Sequence, residues 1–466
     1  MSVVVIVADG ARPDTLSSAI DGGSLPALYR LREEGAFHTI TSAFPSVTGP
    51  AYAPFLMGRY PGPVGLPGLR WYDRARMTAR FPGNSRSYVG PEMRFVDRDL
   101  DPAAPTIFEL VPDSIAALNV ISRGLSKRDR IGRGVRFVAR TARTHFSGNV
   151  RGWLSIDRYI GAEVAAQIRE KKPDFVFAAL TGIDKTSHAA GHEASVVRDA
   201  LRIVDNTVAE IRHDAERDGR WDAMHLWLVS DHGHSPVRQH EDLARLVHGL
   251  GVRTIAHPWV YRTSADVAVM VSGNAMAHIY LDLEQRERPW WPSRDPQWKA
   301  IAELLLSRSS VDLMILPRSP SECEIHSRVR GQARMTWENE TISYEPMTGD
   351  PLGIEAQRAL DADEAYEACI ASDYPDGLVQ IAHLSGAARS GEIILSAARD
   401  WDFRARYEPI PHVSSHGALH REHMLVPLLV NRPVPGLPRR TVDVMPSALR
   451  ALGITIPHGL DGEAFT

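Results

Sequence analysis

At 466 residues, 44% hydrophobic and 24% charged, the chain has the make-up of a globular protein with a large core and room for an insertion or a second domain. A formal net charge of -4 argues against binding of nucleic-acid polymers and leaves anionic ligands to local basic patches. No apolar run approaches the length of a membrane span, and the first residues lack a basic segment and a small-residue cleavage site, so a cytoplasmic protein with no membrane partner is expected.

In chain order, SVVVIVADG (2–10) is a continuous apolar run ending at Asp9. PALYRLREEG (26–35) has apolar residues at helical spacing and stops at Gly35. HTITSAFPSVTGPAYAPFLMGRYPG (38–62) reads as a strand, a Pro-Gly turn and a short helix, with Thr48 at or just before the helix start. PTIFELV (105–111) is helical and ALNVIS (117–122) strand-like. Residues 123–151 hold nine Arg or Lys against one acid, which predicts a solvated basic face. A long helix over 155–172 leads into DFVFAALTGID (174–184), a second apolar run ending at Asp184. Another helix, 193–216, leads towards HLWLVSDHG (225–233), a third, ending at Asp231. Runs apolar on both faces and alternating with helices predict an α/β protein with a mostly parallel sheet.

In such sheets ligands bind beyond the carboxyl ends of the strands, where the three acids are expected. An aspartate after a strand is commonly a helix cap, but two of these come with histidines at useful offsets. Asp184 and His188 are four apart and face one ion if a helical turn continues there, while Asp231 and His232 sit on a tight turn. Carboxylates with imidazoles suit zinc, or alternatively manganese. His416 repeats the His-Gly pattern ahead of a further strand, MLVPLLV (424–430), whereas His420 and His423 are expected behind the ligands or on the surface. Thr48 reads either as a cap or as a hydroxyl beside a dication, where an alkoxide forms and a phosphate is held.

VVVIVADGARPD, FPSVTGPAYAPFLMGRYPG, the Asp184–His188 segment, VSDHGH and SSHG, in this order, resemble the alkaline phosphatase superfamily, and within it the type I phosphodiesterases and nucleotide pyrophosphatases. The resemblance implies an α/β/α sandwich whose catalytic core spans 1–234 and 412–466, with 235–411 as an inserted mixed α/β cap. It implies two divalent metals, one held by Asp184, His188 and His416 and the other by Asp9, Asp231 and His232, with Thr48 as the metal-bound nucleophile. The implied reaction is hydrolysis of a phosphodiester or pyrophosphate in a small anionic substrate through a phosphothreonine. The family's phosphoryl-binding asparagine is missing ahead of Tyr72-Asp73: Leu69 stands in its place and Arg70 is the nearest donor. That departure keeps a phosphomonoester or phosphonate substrate in view. A catalytically idle metal-stabilised binding module is the non-enzymatic alternative, disfavoured by the complete ligand set and Thr48. The two cysteines, Cys323 and Cys369, are expected as free thiols, and oligomeric state is left open.

Overall fold

In the computed structural model, residues 1–75, 84–89, 91–257, 265–292, 295–403 and 410–466 are described. The strands Ser2–Ala8, Phe175–Leu180 and Met224–Val229 lie side by side in parallel, with Val3 opposite Phe175 on one side and His225 on the other. They form the middle of a seven-stranded sheet. Leu425–Val430 and then Ala36–Thr41 extend it beyond Met224–Val229; Ser114–Ala117 and Arg130–Ile131 extend it beyond Phe175–Leu180. Leu425–Val430 runs opposite to the other six strands of this sheet, which all point the same way.

Both faces of this sheet are covered, which is why its central strands are apolar throughout. Side chains alternate along a strand, so Val3, Val5 and Val7 pack into one layer and Val4, Ile6 and Ala8 into the other. The first layer holds Tyr52 and Phe55 with Val444 and Met445 of the helix Val444–Ala451. The second holds the long helices Val150–Lys171 and Ser195–Arg217, which supply Ile156, Ile160, Val204 and Val208.

Several elements depart from the sequence expectation. The strand Phe175–Leu180 stops before Asp184, which instead lies in the first turn of the helix Gly182–Ala190. The strand expected over 117–122 lies upstream at Ser114–Ala117, because Leu118 takes φ 52°, where pairing cannot continue. Residues 135–146 form a helix, with Arg136, Arg140 and Arg143 exposed. Helices not anticipated include Pro13–Asp21 and Gly377–Ser385.

A second, nine-stranded and mostly antiparallel sheet is built from strands between Thr254 and Ala397, with the helix Pro296–Leu306 beside it. A three-stranded sheet of Asp400–Asp402, Ser235–His240 and Ser414–Ser415 joins the two ends of that excursion. Cys323 and Cys369 are buried, unpaired thiols there. Among the described residues no helix is long and apolar enough to cross a membrane.

One buried amide ties the second sheet's layer to the segment ahead of Thr48. Gln380, on the helix Gly377–Ser385, accepts from the Phe44 N–H at 2.8 Å and donates to the Ser42 carbonyl at 3.1 Å and to Asp376 at 2.8 Å. Gln380→Leu strands the two backbone groups in an apolar setting, so urea unfolding should report a loss of about 2 kcal/mol or more. An unchanged midpoint would mean that the segment is held by other contacts.

Candidate metal centre

The three strand ends deliver their carboxylates to one place because the strands are adjacent. Asp9 follows the first strand directly, Asp231 lies two residues past Met224–Val229, and Asp184 reaches in from its helix. All three are buried. Their histidines come with them, and ligand-capable atoms of Asp9, Asp231 and His232 lie within 4.8 Å of one another. The same holds for Asp184, His232, His234 and His416. The expected partner of Asp184, His188, places Nε2 at 3.1 Å from Asp184 Oδ1, since the helical turn does continue through both residues. His416 Nε2 is 3.4 Å from the same oxygen, and the His416 ring stacks on His232 with centroids 3.6 Å apart.

Thr48 joins this group. Its Oγ1 is 3.1 Å from Asp9 Oδ1 and 3.1 Å from His232 Nε2. The capping role considered from sequence is not what its hydroxyl does: Gly49, with φ 101°, is the cap residue of the turn Pro50–Tyr52, which has no side-chain cap.

The turn after the third strand explains its glycine. A Cβ on Gly233 would lie 2.1 Å from the Glu422 carbonyl oxygen, so only glycine lets Asp231 and His232 approach from one side and His234 from the other. The Gly233 N–H donates to the His423 carbonyl at 2.9 Å, while His423 Nε2 meets Ser235 Oγ at 2.8 Å. His420 and His423 are thus buried supports of the metal edge, not surface residues. Helix Gly182–Ala190 is anchored by a residue the sequence reading missed. Asp157, fully buried on Val150–Lys171, accepts the N–H groups of Gly182 at 2.7 Å and Thr181 at 3.1 Å. The available signal was an acid in the middle of an apolar helical face.

Charge crowding shows in the protonation equilibria. Burial and the neighbouring Asp9 push the Asp231 carboxyl up to about 7. Burial lowers the His232 imidazole, but Asp231 and Asp9 outweigh it and raise the group to about 9. Asp184 also suffers burial, yet Lys185 and His188 hold it well below the carboxylate range; Lys185 Nζ is 2.7 Å from Asp184 Oδ2. Asp9 Oδ2 and Asp231 Oδ2 are buried and, among the described residues, accept no hydrogen bond. Buried carboxylate oxygens without donors, beside imidazole nitrogens, fit a divalent cation.

Arg70 is buried, with Nη1 3.4 Å from the Val271 carbonyl. Asn274, three residues after Val271, bridges to His416 through its backbone. The Asn274 side chain meets His412 Nδ1 at 2.5 Å, and the His412 ring stacks on His188 with centroids 4.1 Å apart. Sequence spacing did not flag Asn274 or His412. His234 was in plain view, two residues after His232, but was not counted.

An α/β/α sandwich with buried aspartates and histidines at the carboxyl ends of its central strands is the architecture of the alkaline phosphatase superfamily, whose members are metal-dependent. Residues 3–311 match the type I phosphodiesterase / nucleotide pyrophosphatase family, and the chain belongs to it. Comparison with curated proteins finds no match. Among solved structures, phosphonoacetate hydrolase from Sinorhizobium meliloti in complex with phosphonoformate is similar, at TM-score 0.58 and 16% identity over 97% of this chain and 96% of that one. Murine ectonucleotide pyrophosphatase / phosphodiesterase 5 is similar at TM-score 0.58 and 14% identity, covering 99% and 98%. Its inactive variant in complex with AMP gives TM-score 0.57 and 14% identity over 99% and 97%.

Gly233→Ala forces the Glu422 carbonyl to move and should cost about 1–3 kcal/mol in urea unfolding. Wild-type stability in that variant would show that the turn can open without strain.

Proposed function

We propose that this chain is a two-metal hydrolase of phosphodiester or nucleotide pyrophosphate bonds that works through a phosphothreonine at Thr48. The observation that carries the reading is the position of Thr48 Oγ1, 3.1 Å from both Asp9 Oδ1 and His232 Nε2. Two divalent cations, zinc in this reading, held by Asp9, Asp231 and His232 and by Asp184, His188 and His416, would offset the carboxylate charge and polarise the phosphoryl oxygens. Thr48 lies at the first of these sets, and its hydroxyl proton is directed at the Asp9 carboxylate. The Thr48 oxygen attacks phosphorus in line with the leaving group, the alcohol or phosphate departs, and water then hydrolyses the phosphothreonine.

The phosphoryl group carries charge on its equatorial oxygens during transfer, and a donor is needed there. Leu69 occupies the position of the family's asparagine, and Arg70 is the residue we assign to the task. A full positive charge with forked donors favours a more anionic phosphorus, which supports a second reading: a phosphomonoester or a phosphonate as substrate. Residues 235–411 would act as the cap that chooses among these substrates.

Asp231→Asn keeps the shape of the side chain but removes a ligand charge, so bound transition metal and turnover should fall together in elemental analysis and assay. Two retained equivalents with full turnover would eliminate the bimetal site. For the nucleophile, Thr48→Ala should reduce turnover at least about a thousandfold and Thr48→Ser should restore part of it. The assay is a panel of a nitrophenyl nucleotide diester, a nitrophenyl monoester and phosphonoacetate, with zinc or manganese. Preference for the diester supports the first reading, and preference for either of the others supports the second. Wild-type rates in the alanine variant would leave Thr48 without a chemical role.

A further inference from the structure

Four histidines crowd Asp184, and the partners of their outer nitrogens divide them. His188, His416 and His232 turn Nδ1 to the backbone carbonyls of Ser414, Ser46 and Gly233, at 2.8, 2.9 and 3.0 Å. A carbonyl only accepts, so each of these rings carries a proton on Nδ1 and turns Nε2 inward, the nitrogen that would ligate a cation. His234 differs. Its Nδ1 meets a hydroxyl, Ser414 Oγ, at 3.2 Å, and its Nε2 lies 2.9 Å from Asp184 Oδ1.

The distances to Asp184 Oδ1 form a series. Ligands around a tetrahedral ion at bond lengths near 2.0–2.1 Å sit about 3.3–3.4 Å from each other. His416, at 3.4 Å from Asp184 Oδ1, lies at that spacing, and His188, at 3.1 Å, falls inside it, between ligand spacing and a hydrogen bond. His234, at 2.9 Å, is at direct hydrogen-bond distance. The ring is fully buried and packs against Gly10, where a side chain would crowd it to 3.0 Å.

We propose that His234 is a positioning residue that donates Nε2–H to Asp184 Oδ1 and so fixes the carboxylate for the metal it shares with His188 and His416. This proposal rests on the metal reading above. Ser414 serves twice: its carbonyl holds His188, and its hydroxyl faces His234 Nδ1. With Lys185 Nζ on the other oxygen, both oxygens of Asp184 have a donor, which fixes the orientation of the carboxylate. The Ser414 hydroxyl donates to the Ser235 carbonyl at 2.9 Å, so it is the Asp184 carboxylate, which only accepts, that calls for the proton on His234 Nε2. If His234 instead donates from Nδ1 to Ser414 Oγ, its Nε2 is bare and becomes a fourth ligand.

The two roles part under substitution. Zinc affinity is measured by chelator competition on wild type, His234→Ala, His234→Gln and Ser414→Ala, with the cobalt(II) absorption spectrum of each. Loss of an outer hydrogen-bond partner weakens metal binding about 10–100-fold. We expect that loss in the alanine variant for one equivalent only, recovery in the glutamine variant through its amide N–H, and a smaller loss in Ser414→Ala. The cobalt spectrum should keep its band positions throughout. Unchanged affinity in His234→Ala and Ser414→Ala overturns the proposal, as does a cobalt spectrum altered alike in the alanine and glutamine variants, which marks a lost ligand. If the alanine variant does not fold, Ser414→Ala and His234→Gln carry the comparison. A wild type that binds one equivalent overturns the two-metal reading alone, and if Asp184→Asn removes that equivalent the His234 comparison is still decided on it. A wild type that binds none overturns both.

Discussion

Three buried carboxylates at the ends of three adjacent strands are the constraint around which the rest of this structure is arranged. Ionised carboxylates out of water repel one another and lose hydration, a cost of several kcal/mol each unless positive charge is supplied. The protein supplies only part of it. Lys185 faces Asp184, while Asp9 and Asp231 each keep a buried oxygen that accepts no hydrogen bond among the described residues. The elevated equilibria of Asp231 and His232 express the same shortage. A divalent cation would resolve it and would tie the stability of the strand ends to the chemistry proposed for them.

Holding such a cluster requires rigid surroundings. Asp157 anchors the helix that carries Asp184 and His188, Gly233 permits the close turn that presents Asp231 and His232, and Gln380 secures the segment that leads to Thr48. Each support comes from a different layer of the molecule. The second sheet reaches this point as well, since Asn274, in the turn between two of its strands, bridges to His416. An excursion of the chain between the third strand and His416 therefore reaches the same edge as the core that it interrupts.

Much of this was legible in one dimension. Asp9, Asp231 and His232 terminate or follow apolar runs, and a parallel strand covered on both faces leaves such a run unmistakable. Asp184 and His188 at a spacing of four found their helix as anticipated, although the strand before it is shorter than the run suggested. The α/β class and the family followed from the order of these motifs.

The tertiary structure decided what spacing cannot express. Whether Thr48 caps a turn or faces a carboxylate depends on a hydroxyl's direction, and the direction is set by the packing of residues 44–52 against a segment more than three hundred residues away. His234, Asp157, Asn274 and His412 carry no periodic signal, because each acts through a partner remote in sequence: Asp184, the Thr181–Gly182 turn, His416 and His188. Burial told His420 and His423 apart from surface residues, and burial is a property of the assembled layers. The sequence by itself determined which groups could serve as acids, bases and ligands and at which strand ends they emerge. Only folding brought them to a common point, because hydrogen bonds and coordination act over about 3 Å while the chain separates their partners by hundreds of residues.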